Sequence, residues 1–152
     1  MSSPNDPYDL ARFVEAQKAT YEAALAELRA GNKRSHWIWY ILPQVQGLGS
    51  SQMSARYAIK SLAEARAYLE HPVLGARLRA CVATMNAHAG LSASDVLGQL
   101  DAQKFRSCLT LFARAATAES IFAQALDKYF SGKPDAATLA ILASLQGRRG
   151  DG

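Results

Sequence analysis

The chain has 152 residues, 49% of them hydrophobic and 20% charged, which is enough for one globular domain with a sizeable core. No apolar run approaches the roughly 20 residues of a membrane helix, and a net charge of +4 is too small and too scattered for a dedicated nucleic-acid binder. The opening MSSPNDPYDLAR has no basic stretch followed by an apolar one, so no secretory leader is expected.

Helical signals are dense from the start. Asp6 followed by Pro7 reads as an N-cap with proline at the first helical position, and Asp9 completes a capping-box spacing. Leu10, Phe13, Gln17, Tyr21, Leu25 and Leu28 then recur at helical spacing as far as Gly31, predicting one long helix. Lys33 and Arg34 follow, where they suit the negative end of its dipole. The run Trp37 to Leu42 is apolar enough for a strand, and Arg56 to Ile59 could be extended. A lone strand without a partner is unstable, so a helix after a Ser35 cap is expected instead, ended by Pro43.

Ser61 and Glu64 form a capping box for a helix with Leu62, Ala65 and Leu69 on its face. His71-Pro72 interrupts it, because proline disfavours helical conformation in the preceding residue. Pro72 opens the next helix, whose apolar side is Leu74, Leu78, Cys81, Val82 and Met85, up to Gly90. Ser92 with Asp95 leads a short helix ended by Gly98, and Asp101 is the expected cap of a longer one carrying Phe105, Cys108, Leu109 and Phe112. From Thr117 a further helix turns Phe122, Ala125, Leu126, Tyr129 and Phe130 inward until Gly132. Asp135 caps a last helix with Leu139, Leu142 and Leu145. The expected fold is all-α: a single compact multihelical domain over residues 1–152, with about six to eight helices and little or no sheet. Residues 1–6 and 147–152 are expected to be flexible tails. Cys81 and Cys108, each inside an apolar helical pattern, read as inert buried thiols in a reducing, cytoplasmic setting.

Binding or chemistry is expected in one stretch, NKRSHWIWYILPQVQGLGSS, residues 32–51. No acid falls between Glu27 and Glu64, whereas Arg29, Lys33, Arg34, Arg56 and Lys60 do. Such a stretch either attracts an anion or is a solvated basic surface balanced by acids from elsewhere. Trp37 is expected to face inward. Trp39, His36, Tyr40 and Gln44 are expected at the rim of a cleft, with Lys33 beside them. Aromatic faces next to basic side chains suit a nucleobase or another planar anion.

Gly47 and Gly49 permit close backbone approach, and Ser50, Ser51 and the following N–H groups could face an anion. The spacing fits neither a Walker loop nor a dinucleotide fingerprint, and a plain connector crossing a neighbouring helix is the competing reading. On the helix from Ala102 to Ala115, Arg106, Ser107, Thr110 and Arg114 share a polar stripe. It faces either solvent or the tryptophan cleft, where it would clamp a carboxylate or phosphate. His36, His71 and His88 lack metal-ligand spacing, so neither a metal nor another cofactor is expected.

The function these features suggest is binding of a small anionic, nucleotide-like ligand in a cleft bordered by residues 36–51. One alternative is an enzyme hydrolysing a nucleotide or ADP-ribose-type derivative, with His36 or a nearby carboxylate as general acid or base. Another is a structural or interaction protein without a small-molecule site. Neither a membrane nor a nucleic acid is an expected partner, and the oligomeric state is open.

The string KRSHWIWYILPQVQGLG, residues 33–49, resembles the hallmark of an uncharacterised bacterial family, a domain of unknown function whose members are sometimes labelled "calpastatin". The likeness continues in DPYDLARFVEAQ from Asp6, in YAIKSLAEARAYLEHPVLGARL from Tyr57, in the Asp101–Phe112 stretch DAQKFRSCLTLF, and in Asp135–Leu139. It spans nearly the whole chain and implies a small, mostly helical bacterial protein. It supplies no catalytic residue. The calpastatin label would imply a disordered protease inhibitor, and capped amphipathic helices argue against one.

Overall fold

The computed structural model describes residues 5–151, with side chains described up to residue 146. Among the described residues the chain forms ten helices. They are α1 (Ala11–Lys18), α2 (Tyr21–Ala30), α3 (Ile38–Ile41), α4 (Gln52–Arg56), α5 (Leu62–Glu70), α6 (Leu74–Asn86), α7 (Ala93–Leu97), α8 (Gln99–Ala115), α9 (Ile121–Phe130) and α10 (Ala136–Asp151). No strand occurs among the described residues; an isolated parallel bridge joins Val45 to Ile59. The all-α expectation holds, with more and shorter helices than the periodicity suggested.

Helix α8 is the hub, packed on α5, α7, α9 and α10, while α6 bridges α2, α5 and α9. Its stripe of Phe105, Cys108, Leu109 and Phe112 is fully buried, as the helical spacing predicted. Each such large apolar side chain contributes about 1.5–3 kcal/mol by leaving water. Phe112 stacks obliquely on Tyr68 of α5 and Phe122 of α9, which ties three helices together at one point.

The expected single helix up to Gly31 is two helices. Asp9 takes a left-handed conformation (φ 52°), so α1 starts only at Ala11. The Asp6 carboxylate accepts the Leu10 and Ala11 N–H groups across that turn, at 2.8 and 3.0 Å, and caps the helix without forming the box. The break between α1 and α2 falls at Thr20, whose hydroxyl bonds back to the Ala16 carbonyl at 2.8 Å, a local alternative to helix continuation.

The Trp37–Leu42 run is helical for one turn only, and Ser35 does not cap it. Asp101 lies in the first turn of α8 and Gly98 precedes the helix, so Asp101 is free to pair with lysines. Ser61, Ser92 and Asp135 do cap α5, α7 and α10. The proposed tails, residues 1–6 and 147–152, fall for the most part outside the described residues and side chains, although Asp6 is held and α10 runs on to Asp151.

One buried ion pair fastens the front of the molecule. The Arg12 guanidinium meets Glu64 at 2.7 Å with both side chains almost fully enclosed. Its remaining N–H groups donate to the carbonyls of Tyr8, Asp9, Arg56 and Ala58. The other Glu64 oxygen accepts the Lys60 N–H. A charge pair is tolerable inside only when its hydrogen bonds are met in this way. The pair therefore fixes residues 56–60, which form one wall of a hollow described below.

Candidate functional site

The segment after α2 is built around one carboxylate. Glu27 accepts the backbone N–H groups of Arg34 and Ser35, the Ser35 hydroxyl, and the Trp37 indole N–H at 2.9 Å. Burial by itself would raise its pKa, but these hydrogen bonds outweigh it and hold the carboxyl down at about 2. The acid at the edge of the acid-free stretch thus folds back under it. Trp37 is sealed inside, as expected, with Lys33 above its ring at 4.9 Å.

Trp39 faces the other way. In the single turn of α3, Ile38, Tyr40 and Ile41 go to the core and leave Trp39 half-buried. Its indole borders two hollows and is the one residue common to both among the described residues. The larger, about 480 Å³, has Trp39, Arg34, His36 and Lys104 on its walls, with Leu100 and Asp101 from the start of α8. Lys104 stands 5.5 Å from the Trp39 ring centre, within cation–π range. Asp101 holds Lys33 at 2.9 Å and Lys104 at 3.5 Å, so one carboxylate orients two ammonium groups. Three cationic side chains against one acid leave this hollow positive. His36 and Arg34 are exposed at its rim.

The smaller hollow, about 220 Å³, lies between the Gln44–Gly49 loop and residues 54–60. The Val45–Ile59 bridge closes its base, with the Gln46 N–H on the Ile59 carbonyl and the Ile59 N–H on the Gln44 carbonyl, both at 2.9 Å. Gly47 sits at φ 91°, where a side chain would be strained, and a Cβ on Gly49 would collide with the Ser54 side chain. The glycines therefore serve a tight turn. Ser50 is exposed and borders neither hollow. Ser51 caps α4 by accepting the Ser54 N–H at 3.0 Å, so that N–H already has a partner within the chain.

Of the proposed ligand residues, the structure brings Lys33, His36 and Trp39 to the larger hollow, and Trp39, Gln44, Gly47 and Gly49 to the smaller. Tyr40 is a correction. It is buried, its ring 5.2 Å from that of Tyr57, because α3 turns it into the core. The α8 stripe is a second correction. Ser107 and Thr110 are buried, their hydroxyls bonded back to the carbonyls of Gln103 and Arg106, and Thr110 also accepts the Asp135 N–H. Back-bonding of this kind lets a hydroxyl enter a core. Arg106 lies over Phe130 and donates to the carbonyls of Lys133 and Pro134, and Arg114 borders a different hollow. The clamp proposed for the tryptophan cleft does not form.

Sequence reasoning missed Lys104, Asp101 and Lys60 as wall residues. Asp101 and Lys104 are one helical turn apart and form an i,i+3 pair, a signal present in the sequence but read as a cap. Burial pushes the Cys81 thiol up to about 12 and raises that of Cys108 as well, which makes both unreactive. Among the described residues no group of three or more His, Cys, Asp or Glu is placed to hold a metal. No helix there is long and apolar enough to cross a membrane.

Comparison with known proteins gives the same picture of likeness without activity. The model of a family described as a protein of unknown function (DUF1810) matches residues 7–142. The crystal structure of the conserved hypothetical protein Rv1873 from Mycobacterium tuberculosis is 48% identical, covers 91% of this chain and 99% of its own, and superposes with a TM-score of 0.89. No curated protein matches.

Proposed function

We propose that this chain, which belongs to the DUF1810 family of proteins of unknown function, binds a small planar anion, nucleotide-like in chemistry, against Trp39. The observation that carries the reading is the position of Lys104 over the half-buried Trp39 ring, on the wall of a hollow of about 480 Å³. That volume lies within the range of pockets for drug-sized ligands. An aromatic ring would stack on the indole, and Arg34 and Lys104 would meet the negative groups. Base–aromatic stacking is worth about 1–3 kcal/mol. Asp101 offsets part of the positive field, which suits a ligand of low charge.

Binding is favoured over hydrolysis. A general base is usually oriented by a third group, and the exposed His36 ring makes no hydrogen bond among the described residues. Asp101 is the carboxylate in the hollow, and it is tied to two lysines.

A thermal-shift screen of AMP, ADP-ribose and ribose 5-phosphate at two salt concentrations tests the reading. Ligands that bind only the folded state raise the midpoint. AMP and ADP-ribose are expected to do so at low salt, and less at high salt. Ribose 5-phosphate, which has no base to stack, is expected to do so least. Hits incubated with the protein should be recovered unchanged; turnover would favour the enzyme instead.

A further inference from the structure

Another hollow lies away from Trp39, where α5, the end of α8 and α10 meet. The lining of this hollow, about 180 Å³, includes Arg66, Arg114 and Thr117 beside Leu62, Leu139 and Leu142. Among the described residues no carboxylate lines it. Arg66 donates its Nε–H to the Ala115 carbonyl at 3.2 Å, at the last residue of α8. That bond satisfies one orphan carbonyl of the helix end and fixes the plane of the guanidinium. Among the described residues, the four other N–H donors of Arg66 make no hydrogen bond and remain for another acceptor. Arg114 is exposed and makes no side-chain hydrogen bond or ion pair among the described residues.

Two guanidinium groups on the lining of one small hollow give it a positive potential, which favours an anion there. The α8 C-terminus offers about half a negative charge, too little to balance two full positive ones. An oxyanion would balance them, and the planar forks suit one well. Leu142 is buried and Leu62 and Leu139 are half-buried, and with Ala143 they give the hollow an apolar wall beside the polar Thr117 and Gln146. The hollow is too small for a nucleotide.

We infer that this hollow binds a small oxyanion carrying a short apolar tail, with Arg114 and Arg66 on the charged end and the leucines on the tail. Aliphatic carboxylates and short alkyl phosphates share that chemistry.

Calorimetric titrations with acetate, butyrate, hexanoate, butyl phosphate and inorganic phosphate test this on the full chain. Each methylene added to the carboxylate should tighten binding about fourfold until the hollow is full. Butyl phosphate should bind more tightly than inorganic phosphate, and its affinity relative to butyrate tells which head group the arginines prefer. Arg114→Gln, at an exposed position, should fold normally by circular dichroism and lose about tenfold for every ligand. Lys104→Gln, in the tryptophan hollow, should leave these affinities unchanged, so this result is independent of the nucleotide reading. Absence of binding, equal affinity for acetate and hexanoate, inorganic phosphate binding as well as butyl phosphate, or an unaffected Arg114→Gln would each overturn the inference. So would equal losses in Arg114→Gln and Lys104→Gln.

Discussion

The Lys104 ammonium stands 5.5 Å from the centre of the Trp39 ring, and Asp101, one turn back on α8, steers it there from 3.5 Å. The same carboxylate holds Lys33, which covers the other tryptophan. One acid therefore organises two cation–π contacts, one sealed beneath the loop and one at the wall of a hollow.

Asp101→Asn separates structure from binding. The Lys33 side chain is 7% exposed, so losing its partner leaves a poorly solvated charge. Stability is expected to fall by about 2 kcal/mol in urea denaturation. Affinity for AMP is expected to rise, because a repelling charge has gone from the hollow.

Glu27 should make the fold acid-sensitive. Its folded pKa of about 2 lies below the ordinary value of 4.5, so the stability it contributes is complete above that ordinary value and is lost as pH falls toward 2. Wild-type stability should drop across this window, and Glu27→Gln should show a shallower drop there. Glu27→Ala leaves the buried Trp37 indole N–H unpaired, at a cost of about 1–3 kcal/mol at pH 7. Denaturation curves measured between pH 2 and 7 with all three proteins check both statements.

Much of the fold was legible because its signals are local. The Ser61, Ser92 and Asp135 caps and the spacing of Phe105, Cys108, Leu109 and Phe112 depend only on neighbours in the chain. The break at Thr20 and the left-handed Asp9 were not legible, because each is held by bonds that periodicity does not encode. The site was legible in part. Trp39, His36 and the cations Lys33 and Arg34 border the larger hollow, but its opposite wall, Lys104 and Asp101, comes from about 65 residues further along the chain. Tyr40 and Arg106 looked available because their partners, Tyr57 and the 133–134 carbonyls, become neighbours only after folding, while Ser107 is buried with its hydroxyl bonded back to the Gln103 carbonyl of its own helix.

Breaking the enclosed pair should be more damaging than breaking the surface ones. Arg12→Ala leaves the Glu64 carboxylate, 2% exposed, without its cation and removes the bonds to residues 56 and 58. A loss of about 3–5 kcal/mol is expected. Lys18→Ala removes an exposed i,i+3 pair and should cost no more than about 0.5 kcal/mol. Paired urea curves give the comparison, and equal losses would refute the structural role assigned to Arg12.

Neither thiol should react in the folded protein. Cys81 and Cys108 are buried, and burial raises both pKa values, so labelling by a disulfide reagent at pH 8 should wait for unfolding. Two equivalents per chain should react in denaturant and almost none without it. Rapid labelling of either cysteine in native buffer would contradict the packing of α6 and α8.

If Trp39 is a stacking platform for a planar anion, its loss should show in calorimetric titration of ADP-ribose into wild type and Trp39→Leu at low salt. Saturable binding at one site is expected in the wild type and a loss of at least about fivefold in the variant, with the fold retained. No saturable binding to the wild type, or equal affinity in the two proteins, would contradict the stacking role of Trp39.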